Sequence, residues 1–230
     1  MKISIIIPVL NEEENITRLI NHLQKNSNGK VAEVIVSDGG SSDNTVQLAT
    51  SAQAIAVLSP EKGRAAQMNY GASFATGDIL YFIHADTIPP ATYATDIIDA
   101  SADGYTVGRY KTKFDSALLI LKLNAFFTRF DWFMCMGGDQ TLFITVELFA
   151  EYGGYKSEMK IMEEFEFCKR VRKTGRYKIM NNAVLVSARK YDTNSWWRVQ
   201  RANYTIVKMY KKGASQEAMA DKYKKMMKCR

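Results

Sequence analysis

The first ninety residues alternate between buried-strand and helix patterns, and this alternation constrains the fold more than any other feature. Ile3 to Val9 is almost entirely apolar and rich in β-branched residues, which is typical of a strand buried on both faces of a sheet. Further strands are predicted over 31–37, 54–58 and 79–83, with helices beginning after Asn11 and over 45–52 and 63–75. The sequence therefore predicts an α/β fold with a doubly wound, mainly parallel central sheet flanked by helices. Ligands of such sheets bind beyond the carboxyl ends of the strands.

The second half of the chain is less regular, but it contains no linker, internal repeat or low-complexity segment. Helices are predicted over 93–102, 164–173 and 195–211, with a strand over 105–113, an amphipathic stretch over 118–130 and a loop at 137–139. We therefore expect a single domain over residues 1–230.

Polar residues after the first two predicted strands are suited to the starts of helices. Asn11 is expected to cap the first helix, with Glu12 to Glu14 in its positively polarised first turn. Asp43 is expected to cap the second helix. These expectations compete with ligand contacts for Asn11 and Glu12, and the sequence leaves both roles open.

The cysteines and the distribution of apolar residues indicate the cellular compartment in which the protein works. Cys135, Cys168 and Cys229 are widely spaced and form no CxxC motif, which indicates neither disulfides nor a zinc site. The apolar stretch 117–136 is interrupted by residues that are costly at a bilayer centre, namely Lys122, Asn124, Arg129 and Asp131. Since no export signal is visible either, the sequence predicts a cytoplasmic protein.

The net charge of +7 is concentrated at the end of the chain. Residues 189–230 hold 12 Lys and Arg against 3 Asp and Glu, whereas residues 1–188 hold 19 against 21. A basic C-terminus of this kind binds anionic lipid or phosphorylated ligands, or is simply a solvated helical face. The chain contains no recognised nucleic-acid-binding module, so we expect no nucleic-acid partner. Trp196 and Trp197 are suited to core packing, an acceptor wall or a membrane-surface patch.

The loops after the strands contain neither a GxGxxG nor a GxxxxGK[ST] motif, which argues against hydride transfer and P-loop chemistry. The segments in those positions are 8–12 (PVLNE), 38–43 (DGGSSD) and 84–87 (HADT). Together with 62–64 (KGR), 137–140 (GGDQ) and 162–164 (MEE), in this order, they resemble the motifs of the family 2 glycosyltransferases. That family has the GT-A fold and uses nucleotide-diphosphate sugars. The compact length and segment 187–190 (SARK) are similar to a small bacterial subgroup with unassigned acceptors.

The resemblance implies a nucleotide-binding half at 1–90 and an acceptor half at 91–230 with a basic helical C-terminus. Asp38 is expected to accept a nucleobase N–H, with Gly39 allowing close approach, although it also suits a turn. Glu12 is the expected ribose ligand. The predicted nucleotide-binding set is Pro8, Asn11, Glu12, Asp38, Gly39, Lys62, Arg64, His84, Ala85, Asp86 and Arg189. For Lys62, Arg64 and Arg189, phosphate binding competes with ordinary solvation of surface cations.

Asp86 is the predicted ligand of a divalent cation, Mg²⁺ or Mn²⁺, that bridges the two phosphates. The family's usual DXD motif is replaced here by His84-Ala85-Asp86. An imidazole at the first position is suited to bind Mn²⁺, to hydrogen-bond ribose, or to lie in the core with its hydrogen bonds satisfied by the protein. The sequence leaves these three alternatives open.

The resemblance places the catalytic base at Glu163-Glu164, at the start of a late helix. Adjacent carboxylates repel, so one of the two should have a raised pKa if the pair is partly buried. We prefer Glu164, while noting that acidic residues in a first helical turn are favourable without any catalytic role. Asp139 is expected to contact a sugar hydroxyl of the donor, or to form a turn.

The sequence therefore predicts an inverting, metal-assisted glycosyltransferase that uses a nucleotide-diphosphate sugar. Its acceptor is unidentified, with a lipid-linked compound and peripheral membrane contact as candidates. The alternative is a non-catalytic nucleotide-sugar binding or scaffold protein, which the altered residue His84 keeps open.

Overall fold

The computed structural model describes residues 1–131, 140–173 and 176–228. Within them, eight strands form one sheet in the order β3-β2-β1-β4-β7-β6-β8-β5. The strands are β1 (Ile3–Val9), β2 (Val31–Asp38), β3 (Ile55–Leu58), β4 (Ile79–Phe82), β5 (Thr87–Ile88), β6 (Val107–Asp115), β7 (Leu142–Thr145) and β8 (Tyr177–Ser187). The helices are α1 (Ile16–Lys25), α2 (Thr45–Ser51), α3 (Arg64–Ala72), α4 (Tyr93–Ala102), α5 (Leu119–Phe127), α6 (Val146–Glu151), α7 (Glu163–Val171), α8 (Lys190–Thr193), α9 (Trp196–Lys211) and α10 (Gln216–Met226).

The first four strands form the predicted parallel unit. All seven residues of β1 are buried, and β1 lies between β2 and β4, parallel to both. Val9 at the end of β1 pairs with Asp38 at the end of β2. The carboxyl ends of β2, β1 and β4 are therefore neighbours at one edge of the sheet, as the alternating pattern predicts.

The other half of the sheet is mixed. β7 lies antiparallel to both β4 and β6, β8 is parallel to β6, and β5 is antiparallel to β8. Four of the seven pairings within the described residues are parallel, so the α/β class with helices on both faces is confirmed. The short strands β5 and β7 were not predicted, because two and four residues carry too little pattern to identify a strand.

Helices cover both faces of the sheet and enclose two clusters of buried residues. One contains Ile5 and Leu19 and lies under α1 and α4, and the other contains Ile6 and Phe167 and lies under α3 and α7. Helix α3 approaches the sheet closely at Gly71, where a Cβ atom would lie 2.8 Å from a methyl group of Ile6. These contacts fix the helices that carry the site residues.

The expected cap of the first helix was wrong. Helix α1 begins at Ile16 after Asn15, and no acidic residue lies in its first turn. Asn11 instead has a φ of 55°, which places it in a tight turn directly after β1. The N-cap of α2 is Asn44 rather than Asp43, although the Asp43 carboxylate accepts a hydrogen bond from the backbone N–H of Thr45 at the start of α2 (3.0 Å). The position of Asn11 is set by its contacts with the neighbouring loop, which local helix propensity does not include.

No helix within the described ranges is both long and apolar enough to cross a membrane. Cys168 is a free thiol whose pKa is raised to about 12 by burial, so it is not reactive at neutral pH. Cys135 and Cys229 lie outside the described residues.

Candidate functional site

Asp38 organises the loop after β2 and is only 3% exposed. Its carboxylate accepts hydrogen bonds from the backbone N–H groups of Gly40 (2.9 Å) and Ser41 (3.0 Å), and from the Ser41 hydroxyl. A Cβ atom on Gly39 would lie 3.0 Å from the side chain of Gln67, so this glycine leaves room for that amide. In this structure, therefore, Asp38 holds the turn, and Gly39 accommodates a side chain of the protein itself.

The loops after β1 and β2 are fastened together. The side-chain oxygen of Asn11 accepts a hydrogen bond from the backbone N–H of Ser42 (2.8 Å), and the Asn11 N–H donates to the Ser41 hydroxyl (2.9 Å). The Glu12 N–H donates to the hydroxyl of Thr45 (2.8 Å). Asn11 and Glu12 are thus held beside the Asp38 loop.

Arg189 connects this pair of loops to Asp86. Its guanidinium donates two hydrogen bonds to the carboxylate of Glu12, one of them 3.0 Å long, and lies 3.2 Å from Oδ2 of Asp86. The hydrogen bonds with Glu12 are the main cause that raises the pKa of Arg189. The fold thus brings together Glu12, Asp86 and Arg189, which are far apart in the sequence.

His84 and Glu164 form a second charged contact at the end of β4. Nε2 of His84 lies 2.6 Å from Oε1 of Glu164, and the side chains are 15% and 13% exposed. Burial raises the pKa of Glu164, and the imidazole offsets this only in part. Burial alone would lower the pKa of His84, but the Glu164 carboxylate outweighs that effect and raises it. Both groups therefore bind a proton more tightly than they would in water.

Glu163 has a different partner from its neighbour. Its carboxylate is nearly buried and lies 3.3 Å from the guanidinium of Arg64 at the start of α3. Met162, immediately before the pair, has a φ of 68°, which is strained for a residue other than glycine. Strain of this kind persists where the surrounding structure over-determines the backbone, and it is frequent at functional sites. The two adjacent glutamates thus face different groups.

The second oxygen of Glu164 faces a different environment from the first. Glu164 lines a cavity together with Arg109, Gln140, Thr141, Tyr155 and Cys168. Its Oε2 is buried and makes no hydrogen bond with any residue in the described ranges. A buried acceptor without a partner costs about 1–3 kcal/mol. A hydroxyl group entering this cavity would supply the missing donor.

The sequence model of Glycosyl transferase family 2 matches residues 4–156, well over half of the chain. The chain belongs to this family. The match covers β1 to α6, and hence Asp38, His84 and Asp86 with the loops that hold them.

The relatives of this family 2 glycosyltransferase include enzymes and solved structures. Glucosyl-3-phosphoglycerate synthase of Mycolicibacterium smegmatis is 32% identical over 96 residues, which are 38% of this chain and 32% of that protein. The S. aureus TarS structure has a TM-score of 0.69 at 18% identity, covering 83% of this chain and 61% of that one. A mannosyltransferase of Pyrobaculum calidifontis, solved with GDP-Man and Mn²⁺, has a TM-score of 0.65 at 17% identity, covering 89% and 62%. At these identities the structures show the shared fold.

The remaining predicted residues take several positions. Pro8 and Ala85 are buried and contribute backbone to the strand ends, whereas Lys62 is exposed. Asp139 and the preceding glycines lie outside the described residues. The structure thus brings together Asn11, Glu12, Asp38, His84, Asp86, Arg189 and Glu164 around neighbouring strand ends, and it joins Arg64 to Glu163.

Two residues at the site were not predicted. Gln67 is buried and donates hydrogen bonds to the carbonyls of Val9 (2.7 Å) and Ser37 (2.8 Å), which ties the ends of β1 and β2 together. Arg109 is 1% exposed and donates to the carbonyl of Thr128 (2.7 Å) beside the Glu164 cavity. A glutamine inside a helix and an arginine inside a strand have no local signature, so no sequence signal identifies either.

The residues around Asp86 fit a cation that is shared with a ligand. No group of three or more His, Cys, Asp or Glu side chains within the described ranges is arranged to hold a metal ion. His84 is paired with Glu164, whereas Asp86 is a carboxylate whose side chain is 22% exposed and whose contact is the Arg189 guanidinium at 3.2 Å. Mg²⁺ is commonly held by one or two carboxylates plus substrate phosphates, and this donor set matches that arrangement.

Proposed function

We propose that this family 2 glycosyltransferase transfers a sugar from a nucleotide-diphosphate carrier to an acceptor hydroxyl, with inversion at the anomeric carbon and with a divalent cation. The support is the free oxygen of Glu164. One oxygen is held by His84, the other is buried and unpaired within the described residues, and the Glu164 residue lines a small cavity. A general base needs this arrangement: it is fixed in place and has one oxygen available for a proton.

The proposed reaction has three coupled changes. Oε2 of Glu164 accepts the proton of the acceptor hydroxyl, whose oxygen forms a bond to the anomeric carbon. The bond from that carbon to the diphosphate oxygen breaks, and the diphosphate leaves with the electron pair. Attack from the face opposite the leaving group inverts the configuration. Glu163 is the less suitable base because its nearly buried carboxylate faces the guanidinium of Arg64, which does not lose its proton.

Asp86 is the proposed ligand of Mg²⁺ or Mn²⁺, and the bound cation would neutralise charge on the leaving diphosphate. Arg189 now contacts Asp86 and Glu12, and it would share that charge once the diphosphate is present. The solved mannosyltransferase with GDP-Man and Mn²⁺ supports a divalent cation in this fold.

We further propose that residues 1–90 bind the nucleotide and residues 91–230 bind the acceptor. The nucleotide contacts are assigned to Pro8, Asn11, Glu12, Asp38, Gly39, Lys62, Arg64, His84, Ala85 and Asp86, joined by Arg189 from the second segment, and a sugar hydroxyl is assigned to Asp139. Since the Asp38 carboxylate already holds its own loop, we expect it to contact the base through whatever acceptor capacity remains.

The experiment that tests this function needs no knowledge of the acceptor. The protein is incubated with Mn²⁺ and UDP-glucose, UDP-GlcNAc or GDP-mannose, and release of nucleoside diphosphate to water or to an added acceptor is followed. One acceptor to add is 3-phosphoglycerate, because a relative of this chain is a glucosyl-3-phosphoglycerate synthase. Release that requires Glu164 supports the proposal. Tight binding of the donors without any release would identify a non-catalytic nucleotide-sugar binding protein.

A further inference from the structure

Helix α5 and the residue before it present an unusually apolar surface. We use the name α5 apolar face for the exposed side chains Leu118, Leu119, Ile120, Leu123, Phe126 and Phe127. Leu119 is 79% exposed and Leu123 is 53% exposed, and Leu121 is the one fully buried residue of the helix. The other exposed large apolar residues of the described chain are dispersed over many elements, whereas these six lie within ten consecutive positions. Contiguous apolar surface of this kind marks a docking site.

Cations accompany the apolar side chains. Lys122 lies within α5 and is exposed, and Lys113 is exposed on the preceding strand. The guanidinium of Arg129 lies 3.8 Å from the ring centroid of Phe126. Residues 113–131 contain two acids: Asp131, which is paired with Arg172, and Asp115, which is exposed. The face therefore combines apolar insertion with a positive surround, and this pairing complements an anionic lipid surface.

The dimensions of α5 suit a helix that lies on a bilayer. Its nine residues span about 14 Å, less than half of the hydrocarbon thickness of about 30 Å. The helix begins shortly after β6 ends at Asp115, which lines a cavity with Asp86 and Ser187. The apolar face thus starts beside the edge of the sheet that carries the candidate site.

We propose that the α5 apolar face binds the surface of an anionic bilayer, with the helix lying in the headgroup region and the candidate site facing that surface. A membrane-borne acceptor would then reach the Glu164 cavity without leaving the bilayer. Only this choice of acceptor rests on the proposed function. Docking itself does not involve catalysis, so the two can fail separately.

A second copy of the chain is the competing occupant. Pairing two α5 apolar faces would bring Lys122 and Arg129 of both copies into one interface, where like charges repel. An anionic membrane accepts the same cations favourably. The charges therefore favour lipid over self-association.

The test is flotation of the full chain with vesicles of phosphatidylglycerol and phosphatidylcholine in equal amounts, compared with phosphatidylcholine alone. The test variant is Leu119→Glu with Leu123→Glu. The control is Ile55→Glu with Leu58→Glu, which introduces the same two charges at side chains that are 47% and 68% exposed on β3, an edge strand of the sheet. All four substitutions are at exposed positions, so circular dichroism should show an unchanged fold.

We expect the wild-type chain and the control to float with the anionic vesicles, and salt to weaken that binding. The double variant should lose at least about tenfold in vesicle affinity, because two leucines no longer enter the interface. Equal binding by the double variant would overturn the proposal. The proposal would also be overturned if the wild-type chain did not bind the vesicles. In that case, a wild-type dimer measured by light scattering, with a monomeric double variant, would identify the α5 apolar face as a self-association surface.

Discussion

Asp86 and Glu164 are both carboxylates with a basic partner at the same edge of the sheet, yet their partners differ in kind. Asp86 faces the guanidinium of Arg189, which keeps its proton at any accessible pH, whereas Glu164 faces the imidazole of His84, which titrates. Burial also raises the pKa of Glu164. Under the proposed function, this difference would let Asp86 exchange the Arg189 guanidinium for a metal cation and let Glu164 take up and release a proton.

Glu164→Gln should have the largest effect. The amide preserves shape and can still hydrogen-bond His84, but it accepts no proton from an acceptor. We expect the rate of nucleoside diphosphate release to fall by about 10²–10⁴-fold with donor affinity nearly unchanged. Glu163→Gln is the matched control and should lower the rate much less. A larger loss of rate in Glu163→Gln than in Glu164→Gln would identify Glu163, rather than Glu164, as the base.

Asp86→Asn should have the next largest effect, of about 10²-fold on turnover, because a charged ligand of the cation is removed. The loss should be accompanied by a higher Mn²⁺ concentration at half-maximal rate, which a titration of rate against Mn²⁺ measures. Asp99→Asn removes a carboxylate from an exposed position on α4 and provides the control. An unchanged Mn²⁺ requirement in Asp86→Asn would remove this residue from the metal site.

The pH dependence should distinguish the two carboxylates further. Glu164 must be deprotonated to act as the base, and its raised pKa means that it gains a proton at a higher pH than an exposed glutamate. As pH falls through that raised pKa, the rate should drop about tenfold per pH unit. The neighbouring groups that also affect the pKa of Glu164 are His84 and Arg64, which lower it, and Glu163, which raises it. A rate that does not fall until the ordinary range of exposed glutamates is reached would contradict this assignment.

Gln67→Ala should have the smallest effect on chemistry, because Gln67 contacts neither carboxylate. It would leave the buried carbonyls of Val9 and Ser37 without their side-chain donor, at a cost of about 1–3 kcal/mol in the free energy of unfolding. Chemical denaturation measures this cost. If turnover fell as strongly as in Glu164→Gln while stability stayed the same, Gln67 would belong to the reaction rather than to the scaffold.

Much of the fold of residues 1–90 could be predicted, because the patterns that specify its strands and helices lie within short segments of sequence. The apolar run of β1 and the alternation of β1 to β4 with helices are visible in short windows, and parallel topology then places Asp38 and Asp86 at one edge. The position of Asn11 was not predictable in this way, since it depends on hydrogen bonds to Ser41 and Ser42, about thirty residues away.

The pairings that define the site were beyond the sequence. His84 and Glu164 are separated by 80 residues, and Glu12 and Arg189 by 177. The motifs indicated that these residues were important, but not which of them are in contact. The expectation that one glutamate has a raised pKa is confirmed, although burial is a larger cause than repulsion by Glu163. Burial depends on tertiary packing, which adjacent charges in a sequence do not reveal.

The most direct measurement is calorimetric titration of UDP, with and without Mn²⁺, into the wild-type chain, Asp86→Asn and Glu164→Gln. If Asp86 holds the cation and Glu164 moves the proton, Mn²⁺ should strengthen UDP binding in the wild type and in Glu164→Gln, and have little effect in Asp86→Asn. Equal enhancement by Mn²⁺ in Asp86→Asn, or its loss in Glu164→Gln, would contradict this division of roles.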